Sequence, residues 1–182
     1  MFFWKPLEIQ DISDVVAIAH QIHPQLPERA EVLREKVVLY PQGCKKLLVN
    51  SKIVGYALAH PWCQNSIPSL DNFLGKLPDY PDCLYLHDIA ILKTARGRGA
   101  AAHYVAELIK MAKQRSYSKI ALVSVYGTTG FWEKHGFSVV NSASVEKKLE
   151  SYGETACYMQ YCLQSKNSSF DHCDNFYHSG IN

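Results

Sequence analysis

The stretch HDIAILKTARGRGAAAHYVAELIKMA, residues 87–112, carries an apolar strand into two arginines and two glycines, then into an alanine-rich helix. Such a junction suits phosphate. A helix N-terminus presents unpaired backbone N–H groups and the positive end of its dipole. Gly97 and Gly99 let the backbone approach an anion with no side chain in the way, and Arg96 and Arg98 can add charge-assisted hydrogen bonds. A P-loop would need GxxxxGK[ST], and no Lys-Ser or Lys-Thr follows these glycines. GRGAAA formally fits the dinucleotide fingerprint, but it sits after about four strands instead of in an opening βαβ unit. The next strand, KIALVSV, also runs into Tyr126 where an acidic ribose ligand would be wanted.

Working outward, the chain reads as one mixed α/β sheet. FFWKPLEI is a first strand, and DISDVVAIAHQI is a helix with Asp11 as N-cap and Ile12, Val15, Val16 and Ala19 at helical spacing. PERAEVLREKVVLY is a second helix between Pro27 and Pro41. CKKLLVNSKIVGYALAHPW is a hairpin turning at Asn50-Ser51. Residues 62–82 form a long loop of the kind that often carries function. CLYLHDIAIL is the central strand, TGFWEKHG a short helix ended by Gly136, and FSVVNSASVEKKL and TACYMQYCL are closing strands around a Tyr152-Gly153 turn. Residues 1–164 read as a single domain and 165–182 as a loose polar tail.

Composition bounds the class. A chain of 182 residues holds one sizeable core, and 47% hydrophobic with 20% charged residues is ordinary for a globular domain. A net charge of +2, with basic residues dispersed except at Lys93, Arg96 and Arg98, argues against nucleic acid or an anionic membrane as partner. MFFWKPLEIQD has no apolar core of a signal peptide, and no apolar run reaches the roughly 20 residues of a membrane span, so a cytoplasmic protein is expected. The six cysteines form no CxxC pair and read as reduced packing residues. Asp171, His172, Cys173, Asp174 and His178 have metal-binding types but no recognised spacing, so no metal is expected.

The junction closely resembles the acetyl-coenzyme A loop of the GNAT (GCN5-related N-acetyltransferase) superfamily, R/Q-x-x-G-x-G/A, met here by Arg96, Gly99 and Ala101. GFWEKHGF, residues 130–137, resembles that superfamily's F-Y-E-K-x-G-F segment at the usual distance. The order of hairpin, central strand and closing strands agrees, so the resemblance spans about residues 3–163. It implies a mixed central sheet that splays between its fourth and fifth strands and is flanked by helices. It further implies an acetyl-CoA pantetheine arm against Ile89, Ala90 and Ile91, and a pyrophosphate on Arg96, Gly97, Arg98, Gly99, Ala100 and Ala101. YLHDIAI, HPQLPE and the Pro61-Trp62 pair are similar to arylalkylamine N-acetyltransferases, in which two histidines stand two apart on the central strand. Tyr85 and His87 occupy those positions here.

On that resemblance His87 is the general base for a primary amine attacking the thioester, since imidazole titrates near neutrality. The superfamily's acid tyrosine is replaced by Trp132, which is expected to pack beside the coenzyme arm, leaving Tyr126 as first candidate for the acid and Tyr85 as second. A regular strand would put Asp88 on the face opposite His87, and a bulge would change this. His20 and His23 read as helix-end residues and His60 as a surface residue. The loops 23–30 and 62–80, with the turn at Ser151–Gly153, are expected to line the acceptor cleft, and Trp62, Phe73 and Tyr80 would suit an aryl-alkyl amine. Protein or peptide acetylation and a non-catalytic CoA-binding module remain as alternatives, and a homodimer is open.

Overall fold

The structure, a computed structural model, describes residues 1–163; the polar tail and its His/Cys/Asp group lie outside the described residues. Seven strands, β1 (Phe2–Pro6), β2 (Cys44–Val49), β3 (Lys52–Trp62), β4 (Cys83–Ile91), β5 (Lys119–Ser124), β6 (Ser138–Val139) and β7 (Cys157–Cys162), form one sheet in the order β1-β2-β3-β4-β5-β7-β6. Five helices flank it: α1 (Ile12–Ile22), α2 (Ala30–Leu39), α3 (Ala100–Gln114), α4 (Thr129–Lys134) and α5 (Ala143–Leu149). The mixed sheet expected from the sequence is the one found.

Neighbouring strands pair antiparallel except β4 and β5, which run parallel because α3 crosses between them. That parallel pairing is short. It joins Cys83–Leu86 to Lys119–Leu122 and then stops, so the last five residues of β4 have no partner on the β5 side. β3 holds the other edge of β4 along its whole length. The splay expected between the fourth and fifth strands is therefore present.

The β2–β3 turn falls at Asn50-Ser51, both left-handed with φ 49° and 62°, a turn whose twist matches the strands it joins. Helix α3 lays Tyr104, Val105 and Leu108 on one sheet face against Leu84, Leu86, Ile120 and Leu122. Helices α1 and α2 cover the other face through Val15, Ile18, Leu33 and Val37, packed on Tyr56, Leu58 and Ala90. The Trp4 indole donates to the Ala100 carbonyl at 2.9 Å and so fixes where α3 begins.

One expected strand is mostly helix. Only Ser138 and Val139 extend, and residues 143–149 coil as α5. Val145 and Leu149, one turn apart, share a face that packs on Tyr85 and Tyr158, and Glu146, Lys147 and Lys148 are good helix formers. The long loop, residues 63–82, has no regular structure. Its packing anchor is Ile67, fully buried among Cys83, Tyr85 and Ala121. Among the described cysteines none is disulfide-bonded, Cys44 and Cys83 are buried, and Cys162 is exposed instead of packing in the core.

Candidate active site

A single irregularity in β4 builds the site. Leu58 of β3 stands opposite Asp88 and Ala59 opposite Leu86, so His87 has no partner and the strand bulges there. Leu84 and Leu86 before the bulge, and Ile89 after it, pack on the α3 side. Tyr85 and Ala90 face the other way. The extra residue therefore turns His87 and Asp88 to the same face, the one covered by α1, α2 and the 23–29 loop. The regular-strand expectation that Asp88 opposes His87 is overturned by this bulge.

His87 meets Glu28, which the 23–29 loop delivers just before α2. Nε2 of His87 lies 2.8 Å from Glu28 Oε1, with both side chains almost wholly buried. Behind Glu28, the Lys36 ammonium stands 3.6 Å from Oε2, itself only 1% exposed. Burial would raise the Glu28 pKa, but His87 and then Lys36 outweigh it and hold the carboxyl at about 2. An ionised carboxylate only accepts hydrogen bonds, so Nε2 of a neutral His87 carries the hydrogen and Nδ1 keeps the lone pair. Burial lowers the Lys36 pKa despite the attraction of Glu28 and Glu35.

His60 is not a surface residue: it is fully buried, its ring centroid 6.0 Å from that of His87 and 5.3 Å from that of Trp62. The alternation of β3 sends it to the same face as Tyr56 and Leu58, under the loop that follows Trp62. Burial first, then the neighbouring His87, pushes its pKa down to about 3, so the ring is neutral.

A second histidine–carboxylate pair lies beside the first. Nε2 of His23, the residue capping the C-terminus of α1, is 3.0 Å from Asp88 Oδ1 in an ion-pair contact without hydrogen-bond geometry. The Tyr56 hydroxyl donates a short hydrogen bond to Asp88 Oδ2. Tyr126, left-handed at φ 55° just past β5, stacks on the His23 ring at 5.6 Å and 11°. Burial opposes charge on His23, but Asp88, helped by Glu28, raises its pKa above 6.5.

Glu28 and the His23–Asp88 pair border one small cavity of about 40 Å³, lined also by Leu26, Leu70, Val123, Val125 and Tyr152. Residues from the 23–30 loop, the 62–80 loop and the turn near 151–153 thus come together. Phe73 and Tyr80 do not join them. Phe73 is half exposed beneath the Arg29 guanidinium, and Tyr80 is 92% exposed. Among the described residues, the buried side-chain polar atoms that lack a hydrogen-bond partner are all in this region. They are both ring nitrogens of His23, Glu28 Oε2, His60 Nε2, Trp62 Nε1 and His87 Nδ1. Buried polar atoms are normally paired, so their concentration here marks where solvent or a polar ligand belongs.

The glycine–arginine junction follows directly on the end of β4. Gly97 and Gly99 are left-handed at φ 74° and 78°, and a Cβ added at either would meet nothing within 4 Å. Gly99 caps α3, whose first backbone bond runs from His103 N–H to the Gly99 carbonyl, so the amides of Ala100, Ala101 and Ala102 have no partner within the helix. Arg96 Nε donates to the Ile91 carbonyl at 2.8 Å, tying the loop to the end of β4, while Arg98 is exposed. An open cradle of amides and guanidinium groups beside an unpaired strand edge fits a pyrophosphate carrying an extended amide-bearing arm, which is the chemistry of coenzyme A. Tyr85 is fully buried, its ring 6.5 Å from His87. Trp132 is buried in the main core, edge-on to Phe131 and Phe137. Among the described residues no cluster of metal-ligating side chains occurs, and no helix is long and apolar enough to cross a membrane.

Glu28, Lys36, His23, Tyr56 and His60 were missed as site residues in the sequence. One signal was available. Lys36 falls within the Val32, Leu33, Val37 stripe of α2, and a lysine on an apolar stripe calls for a buried anion.

Splayed sheet, amide cradle and histidine–carboxylate cleft together define an acyl-CoA N-acyltransferase. Residues 14–137 match the family described as Acetyltransferase (GNAT) family, and the chain belongs to it. No curated protein matches the sequence significantly. Solved structures with a similar fold include the GphF GNAT-like decarboxylase in complex with isobutyryl-CoA, at TM-score 0.75 and 16% identity over 89% of this chain and 100% of that one. The loading GNATL domain of CurA from Lyngbya majuscula follows at TM-score 0.72 and 13% identity, covering 89% and 98%. The ribosomal-protein-S18-alanine N-acetyltransferase from Escherichia coli superposes at 0.63 with 15% identity, covering 93% and 100%. At these identities the likeness is one of fold, shared by proteins whose names describe different activities.

Proposed function

We propose that this enzyme transfers the acetyl group of acetyl-CoA to a small primary amine, with His87 as general base. The observation that carries the reading is the His87–Glu28 pair. Glu28 takes the Nε2 hydrogen, which leaves the buried Nδ1 lone pair unpartnered, and Glu28 itself lines the neighbouring cavity together with Asp88. Glu28 and Asp88 would attract an ammonium group, while Leu26, Leu70, Val123 and Val125 would receive a short apolar chain. His87 removes the proton that the amine must lose as it attacks the thioester carbon, and Glu28 stabilises the imidazolium that results. Ile89, Ala90 and Ile91 would line the pantetheine arm, and Arg96 to Ala101 the pyrophosphate.

The test is thiol release from acetyl-CoA across arylalkylamines, polyamines and N-terminal peptides, with His87→Ala in parallel. Turnover on small amines that falls at least 10²-fold in His87→Ala is the expected result. Turnover confined to peptides would move the acceptor, and an unaffected His87→Ala would remove the base.

A further inference from the structure

The departing thiolate must gain a proton, and the second histidine–carboxylate pair is better placed to supply it than the Tyr126 or Tyr85 phenol expected from the sequence. We propose that His23, held by Asp88 and stacked on Tyr126 across the mouth of the β4–β5 split, is the general acid of the reaction. The inference rests on the acetyltransferase reading above.

The placement comes first. Strand pairing ends at Leu86 and Leu122. Asp88 lies two residues beyond that point on β4 and Tyr126 four residues beyond it past β5, and His23 touches both. It therefore stands where the two strands part, which is where an extended coenzyme arm inserted between them would bring its sulfur. His23 also lines the same cavity as Asp88, Val123 and Val125. Its Nε2 is engaged by Asp88, and its buried Nδ1 has no hydrogen-bond partner among the described residues, so Nδ1 is the atom left to give a proton. Tyr56 on β3 occupies the other oxygen of Asp88 and keeps the carboxylate from turning away.

The charges facing His23 favour its cationic form. Asp88 on β4 and Glu28 on the 23–29 loop are acidic; Arg96 beyond β4 opposes them more weakly. Tyr56, Tyr126 and Tyr152 complete the surroundings, and the pKa of each is raised, so they remain neutral. An imidazolium drawn toward its cation by Asp88 has a proton to give to the departing thiolate, whose conjugate acid titrates near 8.5. The Tyr126 phenol, with its pKa raised above 10 by burial and Asp88, would pass it uphill.

The step balances. The amine nitrogen forms the C–N bond, the C–S bond breaks, and its electron pair goes to sulfur. The Nδ1 proton of His23 moves to sulfur as free thiol forms, while His87 takes the proton from nitrogen. His23 regains its proton from solvent. An amine that enters as ammonium releases one net proton per turnover.

The test compares His23→Gln, Asp88→Asn and Tyr126→Phe with wild type in kcat and KM against pH. It adds ¹⁵N-histidine titration of the ligand-free enzyme by NMR, which does not depend on turnover or on His23→Gln folding. His23→Gln is expected to lose roughly 10²-fold in kcat with little change in KM for acetyl-CoA, and to lose the alkaline limb of the kcat profile. Asp88→Asn should move that limb, and the NMR titration of His23, to lower pH. Tyr126→Phe, which keeps the ring stacked on His23, should lose far less kcat than His23→Gln and keep the alkaline limb. The proposal is overturned if His23→Gln keeps kcat within threefold, if it loses rate but keeps the alkaline limb, or if Tyr126→Phe takes the loss instead. Those outcomes leave the acetyltransferase reading standing. A wild type that acetylates no amine overturns both.

Discussion

Replacing Glu28 by glutamine keeps the shape of the side chain and removes the one anion that two buried bases share. Lys36 is left with an ammonium that is 1% exposed and has only the Val32 carbonyl, 3.3 Å away, as a partner. Removing one member of a buried ion pair typically costs about 3–5 kcal/mol, because the remaining charge stays desolvated. The displacement of the Glu28 pKa from 4.5 to about 2 leads to a similar figure. At about 1.4 kcal/mol per pKa unit it corresponds to roughly 3 kcal/mol favouring the ionised form in the fold. A depressed carboxyl pKa contributes stability that is present above pH 4.5 and is lost as the pH falls through about 2. Glu28→Gln should therefore be about 3 kcal/mol less stable than wild type at pH 7, with the gap closing below pH 4.5. Urea unfolding followed by circular dichroism measures it. Adding Lys36→Met, which removes the stranded cation while keeping an unbranched chain, should recover most of the loss. A Glu28→Gln protein within about 1 kcal/mol of wild type at pH 7, or a further loss on adding Lys36→Met, would refute the reasoning.

Three further outcomes follow from the same structure. His60 protonates near pH 6.5 when unfolded but only near 3 in the fold, so stability is full above 6.5 and declines by about 1.4 kcal/mol per unit below it. His60→Gln should flatten the stability profile between pH 6.5 and 4.5, and an unchanged slope would show that His60 is not the titrating group. Gly99→Ala places an L residue at φ 78°, with no atom within 4 Å for its Cβ to strike. The expected cost is about 1 kcal/mol of strain in denaturant unfolding, with a raised KM for acetyl-CoA, and unchanged values of both would sink the cradle. Gly43→Ala should be far worse, since its Cβ would fall 2.1 Å from the Ala59 carbonyl oxygen in the sheet. A melting temperature within a few degrees of wild type would contradict that close approach.

The junction at 96–101 and the GFWEKHGF segment were legible because local chemistry dictates them. Glycines are needed at left-handed positions, amides are free at a helix start, and the segment repeats the pattern of a fold family. The α5 helix was misread because Val139, Val140 and Val145 have β-branched side chains, while what decides the segment is whether Val145 and Leu149 can reach the Tyr85–Tyr158 core together. Phe73 and Tyr80 were read as pocket aromatics because the sequence shows their type but not where their loop folds. Cys162 shows the same limit, since a strand residue can face either side.

By itself, the sequence determined the fold, the left-handed glycine–arginine loop and the place of His87 on the central strand, because each depends on periodicity, glycine conformation or residues close in the chain. Only the tertiary structure decided what His87 works with. The bulge at His87 adds one residue to β4 and turns Asp88 onto its face, and pairing with β3 alone makes that visible. Glu28 lies 59 residues away from its partner His87, and Asp88 lies 32 residues from its partner Tyr56. Burial keeps His60 neutral, while charges that only folding brings close, His87 and Lys36 beside Glu28 and Asp88 beside His23, keep Glu28 ionised and draw His23 toward its cation.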